Sequence, residues 1–61
     1  MNTQGRVPKK AELIADIDSP ALIPGKIYEV MSVEKGWYRI MTEIHDDYLF
    51  PPKMFRVVEW A

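Results

Sequence analysis

The sequence contains no cysteine and a single histidine. A disulfide framework and a thiolate zinc site are therefore excluded, and an all-protein transition-metal site is not expected. No apolar run approaches the roughly 20 residues that span a bilayer as a helix. The segment Met1-Asn2-Thr3-Gln4-Gly5-Arg6-Val7-Pro8-Lys9-Lys10 holds no apolar stretch of signal-peptide length, so the expected location is cytoplasmic. An excess of charge of either sign is also missing. Eight Lys and Arg stand against nine Asp and Glu, a formal net charge of −1. Nucleic-acid binders of this size carry a basic excess, because phosphate neutralisation supplies much of their affinity. There is no glycine-rich phosphate loop and no serine-nucleophile motif. The acids are scattered through loops, and a chain of 61 residues encloses little space in which paired carboxylates could work. The expectation is a single non-enzymatic domain without a cofactor. At this length about 60% of the unfolded surface is buried, so a few kcal/mol of net stability must come from the core alone.

What is present is a series of short β-forming runs separated by Gly, Pro and acidic turns. Residues 1–10 read as a flexible tail whose basic cluster, Arg6, Lys9 and Lys10, is solubilising. The domain is expected over residues 11–61. Ala11–Ile17 fits a short helix by composition and a first strand by the alternation of Leu13, Ala15 and Ile17; the strand is favoured. Asp18-Ser19-Pro20 and Pro24-Gly25 are turns. Lys26–Val33 is the clearest strand, and Glu34-Lys35-Gly36 a tight hairpin loop needing positive φ at glycine. Trp37–Thr42 returns, with Tyr38 and Ile40 on one face and Trp37, Arg39 and Met41 on the other. Tyr48-Leu49-Phe50 is a fourth strand, ended by Pro51-Pro52 because proline cannot donate to a ladder. Lys53-Met54-Phe55 reads as a 3-10 turn and Arg56–Glu59 as the last strand. The expected inward set is Leu22, Tyr28, Val30, Ile40, Phe50 and Phe55, with Leu13 or Ala15. At roughly 1.5–3 kcal/mol for each large side chain buried, Ile40→Ala or Phe50→Ala should remove most of the net stability.

Three segments resemble a Src-homology-3 domain in order and spacing. Pro24-Gly25-Lys26-Ile27-Tyr28-Glu29-Val30 is similar to the start of that family's second strand, with Lys26 in place of the usual Asp. Gly36-Trp37-Tyr38-Arg39-Ile40 resembles the segment that opens its third strand. Leu49-Phe50-Pro51-Pro52-Lys53-Met54-Phe55 resembles its strand end and 3-10 turn. The layout is also similar to that of short bacterial proteins, a likeness that implies no activity. The fold implied is all-β, a small five-stranded SH3-like barrel with a short 3-10 turn before the last strand. Members of the family pack proline-rich peptides between aromatic rings. Of that site this chain matches Trp37, Pro51 and Met54, the last in place of a tyrosine. It lacks the family's Ala-Leu-Tyr-Asp-Tyr segment, and the stretch from Ala15 to Leu22 is short for its long first loop.

Trp37 is the leading candidate, because a large apolar ring on the outward face beside a loop is suited to anchoring a partner. With Pro51, Met54 and Tyr48 it would form an apolar shelf; the alternative is that it covers a sheet edge. His45-Asp46-Asp47 reads as a solvated turn, too poor in carboxylates for a hard cation. Trp60, placed beyond the last strand, is expected to fold back and cap the barrel. Three readings follow. The favoured one is a protein- or peptide-binding module, as a monomer or weak homo-oligomer without membrane contact. The second is a nucleic-acid-binding barrel using Lys26, Lys35, Arg39, Lys53 and Arg56 with Trp37 and Tyr38. The third is a structural subunit that buries the shelf against its own copy.

Overall fold

The computed structural model describes residues 7–61. Five strands follow one another: β1 (Pro8–Leu13), β2 (Ile27–Glu34), β3 (Trp37–Met41), β4 (Asp47–Phe50) and β5 (Phe55–Trp60), with a 3-10 turn at Pro52–Met54 before β5. They form one antiparallel sheet in the order β4-β3-β2-β1-β5. Among the described residues no helix is long and apolar enough to cross a membrane.

β2 is the spine of this arrangement. Its first residues pair with β1, through Ala11↔Tyr28 and Glu12↔Ile27, while Val30 to Glu34 pair with β3. The register shifts between Val30 and Ser32. A bulge of this kind sharpens twist and lets a strand bend, so that one strand serves two halves of a folded-over sheet. The halves meet through side chains. Ala11, Leu13, Leu22, Tyr28, Ile40 and Phe55 make the buried core, with Ala15, Val30, Tyr38 and Phe50 packed against it. The Phe55 ring, at the start of β5, lies 6.1 Å from Tyr38 and 6.2 Å from Phe50. Those contacts join the two ends of the sheet, and ring pairs at such spacing add to the burial itself.

The all-β architecture, the five strands and the 3-10 turn agree with expectation. Closure does not: β4 and β5 are edges, and the sheet is not closed into a hydrogen-bonded barrel. Of the inward set expected from alternation, Leu13, Leu22, Tyr28, Ile40 and Phe55 are buried, Val30 and Phe50 are half-buried against them, and Ala11 is an addition.

Most boundaries of β2 to β5 differ by one residue, and those of β1 differ by more. β1 begins at Pro8, so residues 8–10 of the expected tail belong to the sheet, and residues 1–6, including Arg6, lie outside the described residues. Proline opens a strand without loss because it owes the ladder no donor there. Lys9 and Lys10 both reach Glu59 on β5, at 3.5 and 3.7 Å. Two register shifts, at Pro8/Lys10 and Lys10/Ala11, break the alternation that would have marked the strand. β1 ends at Leu13 rather than Ile17, which lengthens the connection to β2 to residues 14–26. The Ala15–Leu22 stretch is therefore only part of the connection between β1 and β2. Finally, the 3-10 turn is Pro52–Met54, and Trp60 lies within β5, opposite Pro8, rather than beyond it.

The long connection is tied down rather than loose. Gly25, at φ 86°, donates to the Leu13 carbonyl at 2.8 Å, and Leu13 donates to the Lys26 carbonyl at 3.0 Å. Ile14 and Ala15 donate to the Met54 carbonyl at 2.9 and 3.2 Å. At its far end the Ile23 N–H donates to the Tyr28 hydroxyl, which donates in turn to Glu43 Oε2, each at 2.8 Å. Lys26 meets the same carboxylate at 2.6 Å, and the Glu43 N–H donates to the Ala21 carbonyl at 2.7 Å. Glu43 thus fastens the β3–β4 turn to the connection and positions Leu22 over the core.

Candidate functional site: the shelf around Trp37

Trp37 opens β3 immediately after the Lys35-Gly36 turn. Both turn residues have positive φ, 53° and 83°, and the flanking pair Glu34↔Trp37 closes a two-residue hairpin loop of the I′ kind. That geometry matches the right-handed twist of the strands and settles which way Trp37 points. With Ile40 fully buried and Tyr38 half-buried on the inner face, Trp37 faces outward and remains 46% exposed.

Around the ring is an open depression of about 540 Å³ lined by Glu34, Lys35, Trp37 and Leu49. Leu49 stands opposite Arg39 on the neighbouring strand, diagonal to Trp37. Of the residues proposed with Trp37, Pro51 follows β4 directly. One further step along the Tyr38↔Phe50 register brings it level with Trp37. Met54 is half-buried against the core, and Tyr48 stands opposite Ile40, near the far end of β3. None of Pro51, Met54 and Tyr48 lines the depression. Leu49 is the member that the sequence reading left out, and cross-strand register is the signal that finds it.

Charge on this face is arranged by Arg39. Its Nε and Nη2 donate to the two Glu34 oxygens at 2.6 and 2.8 Å, and its Nη1 donates to Asp47 Oδ2 at 2.7 Å. The Ser32 hydroxyl also donates to Glu34, at 2.7 Å. The forked guanidinium matches a carboxylate edge, so one side chain fastens β2, β3 and β4 across their outer face. Arg39 and Ser32 hold the Glu34 carboxyl at a pKa of about 2, and the two carboxylates push the Arg39 pKa upward. These groups face solvent, so the network orients side chains more than it stabilises the fold.

The remaining cations are largely engaged within the chain. Lys26 pairs with Glu43, Arg56 with Glu12, and Lys9 and Lys10 with Glu59. Among the described residues Lys35 and Lys53 are the basic side chains without a carboxylate partner.

The three residues 45–47 diverge: His45 sits at φ 66°, the Asp46 carbonyl accepts from the Thr42 N–H and hydroxyl, and Asp47 pairs with Arg39. Compared with models of protein families, with curated proteins and with solved structures, the chain has no match.

Proposed function

We propose that this protein is a small non-enzymatic protein- or peptide-binding module of the Src-homology-3-like kind, working through the shelf around Trp37. One observation carries the reading: an indole 46% exposed beside Leu49, itself 38% exposed, in a depression of about 540 Å³. A rigid turn on one side and the Arg39 network on the other hold its rim in place. An apolar group docked there loses water without asking the protein to reorganise, which is the economy of a preformed site. The SH3-like assignment draws on the Gly36-Trp37 start of β3, the Phe50-Pro51 end of β4 and the 3-10 turn before β5. The nucleic-acid reading is weakened by the ion pairs. Lys26, Arg39 and Arg56, three of its five cations, are spent on carboxylates of this same chain.

Selection from a random peptide library on immobilised protein tests the reading, with a Trp37→Ala variant shown folded by circular dichroism as the counter-target. Peptides enriched on the wild type and bound at least about tenfold more weakly by the variant would support it, tenfold being the loss of one modest aromatic anchor. Equal enrichment on both proteins would refute the site.

A further inference from the structure

We infer that the occupant of the Trp37 shelf is an extended acidic peptide, one apolar residue on the Trp37–Leu49 surface with carboxylates reaching towards Lys35 and Lys53. The inference rests on the binding-module reading and adds the chemistry of the ligand.

The argument is one of unspent charge. Glu34 lines the depression, yet its two oxygens accept from Arg39 Nε, Arg39 Nη2 and Ser32 Oγ. It has little left to offer a cationic ligand. Asp47, on the same face, is held by the same guanidinium. Lys35, which also lines the depression, has no carboxylate partner among the described residues, and neither has Lys53. Both unpaired lysines belong to loops at the end of the sheet where Trp37 lies. Lys35 is in the β2–β3 turn, and Lys53 is in the 3-10 turn two residues after Pro51. Among the described residues, two of the four acids without a salt-bridge partner stand elsewhere in the fold. Glu29 is in the half of β2 that pairs with β1, and Asp46 is in the turn at the opposite end of β3. Asp16 and Asp18 are in the 14–26 connection, which passes beside the 3-10 turn where Ala15 donates to the Met54 carbonyl; neither acid lines the depression, and neither forms a salt bridge with Lys35 or Lys53.

Geometry limits the ligand further. The β2–β3 turn and the segment after β4 are about two strand spacings apart, or roughly 10 Å. An extended peptide covers that in about three residues. The recognised pattern is therefore an apolar residue with Asp or Glu one or two positions to either side. Two cations are too few to track a phosphate backbone, which favours peptide over nucleic acid.

The test is selection of random ten-residue peptides on the wild type and on a Lys35→Glu/Lys53→Glu variant. The selected peptides are then measured by fluorescence anisotropy on both, alongside Trp37→Ala and a single-stranded oligonucleotide. The expected result is net-negative peptides from the wild type that bind the double variant about tenfold more weakly, the sum of two exposed charge pairs. Peptides selected on the double variant should be net-positive. Peptides of the same charge from both proteins would overturn the acidic assignment while leaving the module intact. Absence of any Trp37-dependent peptide would remove the module reading and this inference together. An oligonucleotide bound more tightly than every selected peptide, with affinity falling steeply in salt, would overturn both in favour of nucleic acid.

Discussion

Ile40 and Met41 are neighbours on β3, and the sheet sends them to opposite sides. Ile40 is fully buried, fixed between Val30 on β2 and Tyr48 on β4, whereas Met41 is 45% exposed. Truncating Ile40 to alanine removes buried methyl groups and leaves a cavity. Because β3 is hydrogen-bonded on both sides, its backbone cannot move inward to fill that space. The cost should therefore fall in the upper part of the usual range, about 3–5 kcal/mol. A domain of this size has about 3–9 kcal/mol of stability in all, so Ile40→Ala should remove at least about a third of it. Ile40→Val is the quantitative probe: one methylene, about 1 kcal/mol, and a melting temperature lower by roughly 4–8 °C. Met41→Ala should stay within about 0.5 kcal/mol of wild type. Urea titration of all three by circular dichroism gives the comparison, with the slope m checked for constancy. Equal destabilisation by Ile40→Ala and Met41→Ala would refute the alternation on which the orientation of Trp37 also depends.

Acid should act partly through Glu34. Its folded pKa, about 2, is below the ordinary 4.5, so its contribution is present above pH 4.5 and is lost as pH falls towards 2. Glu34→Gln should flatten the loss of stability between pH 4.5 and 2, measured as urea midpoints; an unchanged acid limb would exclude the Arg39 pairing in solution. Gly36, at φ 83°, has open space where a Cβ would go. Gly36→Ala should thus cost only backbone strain, about 1–2 kcal/mol by thermal melting. Tyr28→Phe deletes a hydroxyl that accepts from Ile23 and donates to Glu43. We expect a loss of about 1–2 kcal/mol and faster amide exchange in residues 21–26, and unaltered exchange there would show that the connection is held by Leu22 alone.

Features encoded over a few residues were legible in the sequence. The alternation of Trp37, Tyr38, Arg39 and Ile40, the Lys35-Gly36 turn and the Pro51-Pro52 stop each depend on backbone sterics and side-chain period. They sufficed for an all-β chain, for most of the core and for an outward Trp37. What the tertiary structure decided was pairing between segments far apart in sequence. β1 could be located at Pro8 only through its ladder to β5 and its ion pairs with Glu59, since two register shifts erase its own periodicity. Leu49 became the companion of Trp37 only once β4 was in register with β3. Which cations stay free, Lys35 and Lys53 rather than Arg39 or Lys26, was likewise set by carboxylates 5 to 44 positions distant in the chain. Local pattern reports the preference of each residue for a face. Which partner occupies that face is a property of the assembled sheet, because only folding brings those residues within reach of one another.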